Sequence, residues 1–315
     1  METKKTLLPW IQEHFDQLSW RSLSGNIHAI SLLEENQDKI DWWALSSNPN
    51  AISLLEANRD KINWVSLSCN PNAIHLLEEN PKKIHWNWLS LNENAISLFE
   101  SNQDKINWNY LSSNPNAISL LKANMDKINW RDLSLNENAI SLLESNQDKI
   151  NWNGLSSNPN AISLLKANMD KINWWGFCQN RNALSLFEEY PSLINWDIIS
   201  SNPYLITLLE KNLDKINWYY LSSNYNAIHL LESNPNNIYW DKLRMNDNAI
   251  NLFEQNRDQI HWPSFCTSLN IFQDTINYKF HRERMDVHRK ELMEKVFHPK
   301  RLIYLLNLGY DGFMI

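Results

Sequence analysis

Asn107-Trp-Asn-Tyr-Leu-Ser-Ser-Asn-Pro-Asn-Ala-Ile-Ser-Leu-Leu-Lys-Ala-Asn-Met-Asp-Lys-Ile-Asn-Trp130 holds one full period of this chain and the start of the next. Its two tryptophans stand 22 residues apart. The same interval runs from Trp20 to Trp262 without an insertion, which puts twelve tryptophans in register. Three residues after each Trp comes an apolar residue such as Leu23, Leu45, Phe177 or Ile199. Six after it comes Asn in eleven of the twelve repeats, failing only at Ser268. Ala-Ile, a Leu-Leu or Leu-Phe pair, a second Asn and an Ile complete the unit. A fixed period of this length marks a solenoid, in which each unit buries its apolar face only against its neighbours.

Each column has a physical reason. Asn six after Trp is a good helix N-cap, since its side-chain oxygen satisfies an otherwise orphan N–H. The residue after it is often Pro (Pro49, Pro71, Pro115, Pro159, Pro203) or an acid (Glu93, Glu137, Asp247), both favoured at a helix start. The Ala-Ile-Ser-Leu-Leu stretch then supplies a helix-spaced apolar stripe. A second Asn (Asn58, Asn80, Asn102) stands where a left-handed C-terminal residue is expected. Asn, Asp or Ser precedes Trp in nine of the twelve repeats and caps a second, shorter helix. The unit is therefore predicted as two helices of roughly six and nine residues, too short to be stable alone.

The expected fold is an all-α solenoid of about 11–12 such units, drawn out as a rod or superhelix of order 100 Å at about 9–10 Å per layer. The alternative is a leucine-rich-repeat-like horseshoe, whose period also fits 22 residues. Against it, that consensus wants an apolar residue two after its Asn, where this chain has Asn50, Asn72 and Asn94. The boundaries expected are an N-terminal cap at 1–19, tandem repeats at 20–268 and a helical cap or tail at 269–315. An amphipathic helix is expected from Gln273 to Phe297, within a tail of net charge +2 against −9 for the rest. The Trp column, including Trp64, Trp86, Trp108, Trp130, Trp152 and Trp174, is expected to form the structural core.

Composition narrows the function. Sixteen Trp and only five Gly in 315 residues exclude a disordered or collagenous chain. A formal charge of −7 disfavours nucleic acid as a partner. No apolar run reaches membrane-spanning length, and none at the N-terminus suits a signal peptide. Cys69, Cys178 and Cys266 are odd in number and widely spaced, and none of the 46 Asn lies in a glycosylation sequon. An intracellular, non-secreted protein is expected; the oligomeric state is open.

Segments 87–130 and 131–174 match at 40 of 44 positions, which points to duplication of a two-repeat block. Three of the four differences fall just after the Trp. These variable columns often carry aromatics: Trp43, Trp88, Tyr110, Trp175, Tyr219 and Tyr220. Exposed aromatics on one face are candidate anchors for a protein partner.

The repeat Asn-Trp-x-x-Leu-Ser-x-Asn-Pro-x-Ala-Ile-x-Leu-Leu, seen at 107–121 and 151–165, resembles tandem repeats of uncharacterised proteins from nucleocytoplasmic large DNA viruses of algae and amoebae. The segment Glu291-Leu-Met-Glu-Lys-Val-Phe-His-Pro-Lys-Arg-Leu302 is similar to the ending of several such proteins. The resemblance implies a viral source and a solenoid, and it carries no catalytic residues.

No chemistry is expected. Five scattered glycines build no phosphate loop, and neither a zinc-protease helix nor a nucleophile elbow is present. His281, His288 and His298 lack the closer partners a metal needs. No metal and no cofactor is expected. A non-enzymatic repeat scaffold for a host or viral protein is the leading function, with a rigid spacer or minor virion component as the alternative.

Overall fold

The computed structural model describes residues 3–276. Each unit is a first helix, a turn, a second helix and a closing 3-10 turn, as at Trp108–Ser113, Pro115–Ala117, Ile118–Ala123 and Met125–Lys127. The chain is thus an α-solenoid. The residues after each Trp are helical, so the horseshoe alternative fails. The helices are shorter than expected, because the proline turn takes up the start of the predicted nine-residue segment.

The first helix is capped as its sequence requires: Asn63 and Asp41 accept from the N–H three residues on, at 3.0 and 2.9 Å. The second Asn is a correction. Asn58 has φ −133°, not a left-handed value, and its Nδ2 donates to the Leu54 carbonyl at 3.0 Å. It closes the preceding helix by a side-chain bond instead of by an inverted backbone.

Three polar columns join each unit to the next. Ser112 Oγ donates to the Trp108 carbonyl of its own helix at 2.7 Å and accepts from Asn129 N of the following unit at 3.0 Å. Asn136 Nδ2 reaches back to the Ser112 and Asn114 carbonyls at 3.1 and 2.9 Å, while its Oδ1 accepts from Asn138 N at 3.0 Å. Asn138 Nδ2 donates to the Pro115 carbonyl at 3.0 Å. Asn six after Trp is thus a turn cap, as expected, and also the main hydrogen-bonded link between units. It is buried at every place from Asn26 to Asn246. Only Asn offers two donors and an acceptor at this side-chain length; Ser268, the one exception, keeps the acceptor for Asn270 N at 3.3 Å but has no amide to donate.

The fully buried core is Leu, Phe or Ile three after Trp, the Ala nine after it, and the last Leu or Phe of the second helix, such as Leu111, Ala117 and Leu121. The tryptophans, Trp64, Trp86, Trp108, Trp130, Trp152 and Trp174 among them, are half-buried and pack against this core from its edge. That corrects the expectation of a Trp core. In eight of the twelve repeats a Lys from the closing 3-10 turn lies 4.3–4.9 Å over the exposed ring face, as Lys83 does over Trp64. The indole is kept for a surface that is apolar inside and cationic outside.

The ends are the largest departure from expectation. Asn26 Nδ2 donates to the carbonyls of Cys266 and Ser268 at 3.3 and 2.9 Å, the same pattern that Asn48 makes to Ser24 and Asn26. The twelfth unit therefore stacks on the first, and the solenoid closes into a ring instead of a rod. That twelfth unit is composite. Trp262–Phe265 supplies its first helix, and Pro9–Gln12 with the turn Phe15–Gln17 supplies its second half. Leu7, Trp10, Ile11 and Leu18 are buried in the places that Ala29, Leu32, Leu33 and Ile40 take 22 residues later. Leu8 N donates to Ile271 O where the two segments meet, and Trp10 packs on Trp262 and Phe265. Strands β1 (Thr3–Leu7) and β2 (Phe272–Ile276) then run antiparallel, Thr3 opposite Ile276.

The expected end caps thus complete one unit together. The tail helix expected from Gln273 does not begin there, since Gln273 lies in β2; the rest of it, with His281, His288 and His298, lies outside the described residues.

Two substitutions separate the polar columns. Asn158→Ala removes partners from two carbonyls and from Asn160 N, and is expected to cost about 2–4 kcal/mol; Asn160→Ala, on the exposed column, about 0.5–1.5. Trp64→Ala, half-buried, should cost about 2–3 kcal/mol, below the range for a fully buried Trp. Urea melts read all three, and equal losses for the two Asn variants would refute the ladder's ranking.

Candidate functional site: the open face of the first helices

The ladders run along the first helices and the turn after them. Second helices of neighbouring units instead meet through side chains, as in the exposed pairs His75–Glu56 at 3.0 Å and His229–Glu210 at 2.9 Å. Closure of the ring therefore puts the first-helix side on the inside of the curve. A first helix buries the residue three after Trp and in most units the one four after it; the residue one after Trp is exposed and those two and five after it are exposed or half-buried, except at Ala44, Ser66 and Gly176, so these columns line an open face.

All six aromatics singled out from the sequence are exposed there: Trp43, Trp88, Tyr110, Trp175, Tyr219 and Tyr220, with Trp175 the most open at 62%. They do not form one cluster. Trp43 and Trp88 come together with Val65 and Cys69 around a hollow of about 200 Å³. Arg21 stacks on Trp43 at 5.1 Å, and a second hollow of about 470 Å³ lies between them, Gly25, Ser47 and Thr267. Tyr219 packs edge-on against Tyr220 and Tyr239 at 5.2 and 5.4 Å, with the Lys242 ammonium 4.7 Å over its ring. Trp175 stands apart from both groups.

The sequence missed several members of this surface. Val65, Leu91, Leu135, Tyr239 and Met245 are exposed, as are Tyr204 and Tyr225 in the turn after the first helix. The Tyr225 hydroxyl donates to Tyr204, which together with burial raises its pKa. The residue five after Trp is the signal that could have found more of it. That column holds Gly25, Cys69, Leu91, Leu135 and Met245, as variable as the two columns after Trp.

The fold does not require aromatics here. Gly154 and Gly176 stand two after Trp, the place of Trp88 and Tyr110. The same columns also carry Arg21, Arg131, Asp132, Asp197, Asp241 and Lys242 among Asn and Ser, while Glu, Asp and Lys crowd the second helices and closing turns. The open side therefore sets exposed aromatics among polar residues, and the other side is ionic.

The three cysteines are unpaired, Cys178 and Cys266 being buried and Cys69 half-buried at the edge of the smaller hollow. Burial raises the Cys69 pKa, so little thiolate is present near neutrality. Cys69 is expected to be the one thiol of the three that iodoacetamide alkylates in the folded protein. Its rate should lie below that of a free cysteine at pH 7.5 and rise about tenfold per pH unit until the raised pKa is passed. Peptide mapping of the adduct checks the site; prior labelling of Cys178 or Cys266 would refute the assigned burial.

Residues 16–186 match the model of the family described as "Periplasmic copper-binding protein (NosD)", a span of more than half of the chain. No curated protein and no solved structure shows a significant match. The matched residues run from the composite unit through seven tandem repeats into the eighth, all of them built of short helices joined by turns. Among the described residues, no three His, Cys, Asp or Glu side chains converge as a metal site would require. The described residues therefore do not fit a copper centre. By the extent of the match, the chain belongs to the NosD family, with a ring of helical repeats across the matched region.

Proposed function

We propose that the chain is a non-enzymatic scaffold that binds a protein partner through the open face of its first helices. One observation carries this: Trp43, Trp88, Tyr110, Trp175, Tyr219 and Tyr220 are all exposed, on one face, in the two columns after Trp where other units carry Asn, Asp, Arg or Gly. Large aromatics cost free energy when left in water and are the residues most often found at the centre of interfaces. The open face brings no set of titratable groups together as a catalytic site would need.

A spacer role is the weaker account. It relies on an open rod whose length separates its two ends, and here the ends complete the same unit. Neither copper nor the periplasm is carried over from the family's description. Among the described residues copper lacks a ligand set, and three unpaired thiols suit a reducing compartment better. Among the described residues no helix is long and apolar enough to cross a membrane. The resemblance to repeat proteins of large DNA viruses makes a host or viral protein the partner to look for.

Affinity capture from infected and uninfected host lysate tests the proposal. A Trp43/Trp88/Trp175→Ala variant, shown folded by circular dichroism, is expected to lose a protein that the unmodified ring retains. Equal capture by both would overturn the aromatic face as the binding surface.

A further inference from the structure

We infer that the hollow at Gly25, where the ring closes, is a peptide-binding site for an acidic side chain with a large apolar residue next to it. This rests on the open face being protein-binding, and it names the partner's chemistry at one place on that face.

The hollow exists because a side chain is missing. Gly25 stands five after Trp20, where other units carry Ser47, Cys69, Leu91 or Met245. A Cβ added at Gly25 would meet nothing within 4 Å, so packing does not demand glycine there. The space left is about 470 Å³, bounded by Arg21, Ser22, Ile27, Trp43, Ser47 and Thr267. That volume suits a small ligand or a few residues of an extended peptide.

Its charge is equally specific. Among the described residues Arg21 is the only charged side chain lining the hollow. No carboxylate pairs with Arg21 among the described residues; its contact is the stack on Trp43 at 5.1 Å. A guanidinium that stacks by its face keeps its N–H edge for a carboxylate, in a two-pronged geometry that Lys cannot reproduce. On a chain of net charge −7, an unpaired Arg over an apolar hollow favours an anionic group.

Trp43 also lines the smaller hollow with Val65, Cys69 and Trp88, about 200 Å³ and largely apolar in its walls. A carboxylate at Arg21 thus leaves a neighbouring apolar side chain room on the Trp43–Trp88 side. Nucleic acid is a poorer occupant, since a single cation cannot neutralise a run of phosphates.

The test selects binders from a random hexapeptide display library on the full chain, then synthesises the enriched sequences for fluorescence polarisation. The expected sequences carry Asp or Glu one to three positions from Leu, Ile, Phe or Trp. Arg21→Gln and Gly25→Leu should each weaken binding at least tenfold, Arg59→Gln, on the ionic side of the ring, should leave it unchanged, and raised salt should weaken it. Circular dichroism shows that each variant is folded, and Arg21→Gln, on the surface, carries the test if Gly25→Leu does not fold.

Enriched sequences without an acid, or binding indifferent to both seam variants, would overturn the inference. Peptides lost instead on Trp175→Ala or Tyr219→Ala would overturn this site and keep the scaffold proposal. Failure to enrich any peptide would overturn the site as well, with the scaffold then decided by the capture experiment.

Discussion

One buried amide organises the molecule. At eleven of the twelve joints the Asn six after Trp donates to two carbonyls of the unit before it and accepts from its own turn. A buried amide left unsatisfied costs more than a made bond contributes, so the two units must stand at the one spacing and tilt that satisfy all three contacts. The second helices have no such bonds between them and splay apart. Tight joints on one side and loose ones on the other bend the stack in one direction at every repeat. A stack that bends by one twelfth of a turn at each of twelve joints returns to its start. Ring closure thus follows from the Asn column, repeated in register from Asn26 to Asn246.

The closing unit is where that rule is relaxed. Cys266 takes the place of the bridging Ser, and its sulfur accepts from Ser19 N at 3.3 Å, a weaker acceptor than a hydroxyl. Ser268 replaces the bridging Asn, and Gln17 stands where eight other units have the Lys over Trp. Trp10 Nε1 is buried with no hydrogen-bond partner. What holds the seam instead is apolar packing of Trp10 and Ile11 and the two-stranded pairing of β1 with β2. An open solenoid must cover two terminal apolar faces; a ring covers each with the other. The sheet is a consequence of topology, because the entering and leaving chain ends run side by side once they share a unit.

Much of this was legible in the sequence, and the misses have definite causes. The 22-residue register, the two-helix unit and the caps before Trp follow from local chemistry, and local chemistry is what a sequence shows. Closure depends on the summed tilt of twelve joints, which no single unit displays. The one clue was Leu7 to Leu18, a half-unit in register with 29–40 that looks like an ordinary cap when taken alone. The Trp column was misplaced for a different reason. A residue that recurs in every unit suggests a core, yet here the indole recurs because it sits at the core's edge under a Lys. Asn58 and its equivalents were given a backbone role when their side chains do the work. The exposed aromatics were found correctly because they break the register, and variation within a repeat is the mark of positions the fold leaves free.

That separation bears on how such a molecule comes to recognise anything. The columns that make the joints, Ser four, Asn six and Asn eight after Trp, point into neighbouring units and are almost uniform. The columns one, two and five after Trp take no part in these ladders and hold Trp, Tyr, Arg, Asp, Leu or Gly; their links to the next unit are exposed side-chain bonds, such as Asn107 Nδ2 donating to Asn87 Oδ1, that only some units make. A change in the second set alters the surface without altering the curvature, so the binding face can diverge unit by unit while the ring persists. The near-identical segments 87–130 and 131–174 show this division directly: Trp88 against Asp132 and Tyr110 against Gly154, over ladders that are the same. The constraint that fixes the fold therefore frees the face, and Gly25 at the seam is its extreme case, a free position left empty where the ring needs nothing to fill it.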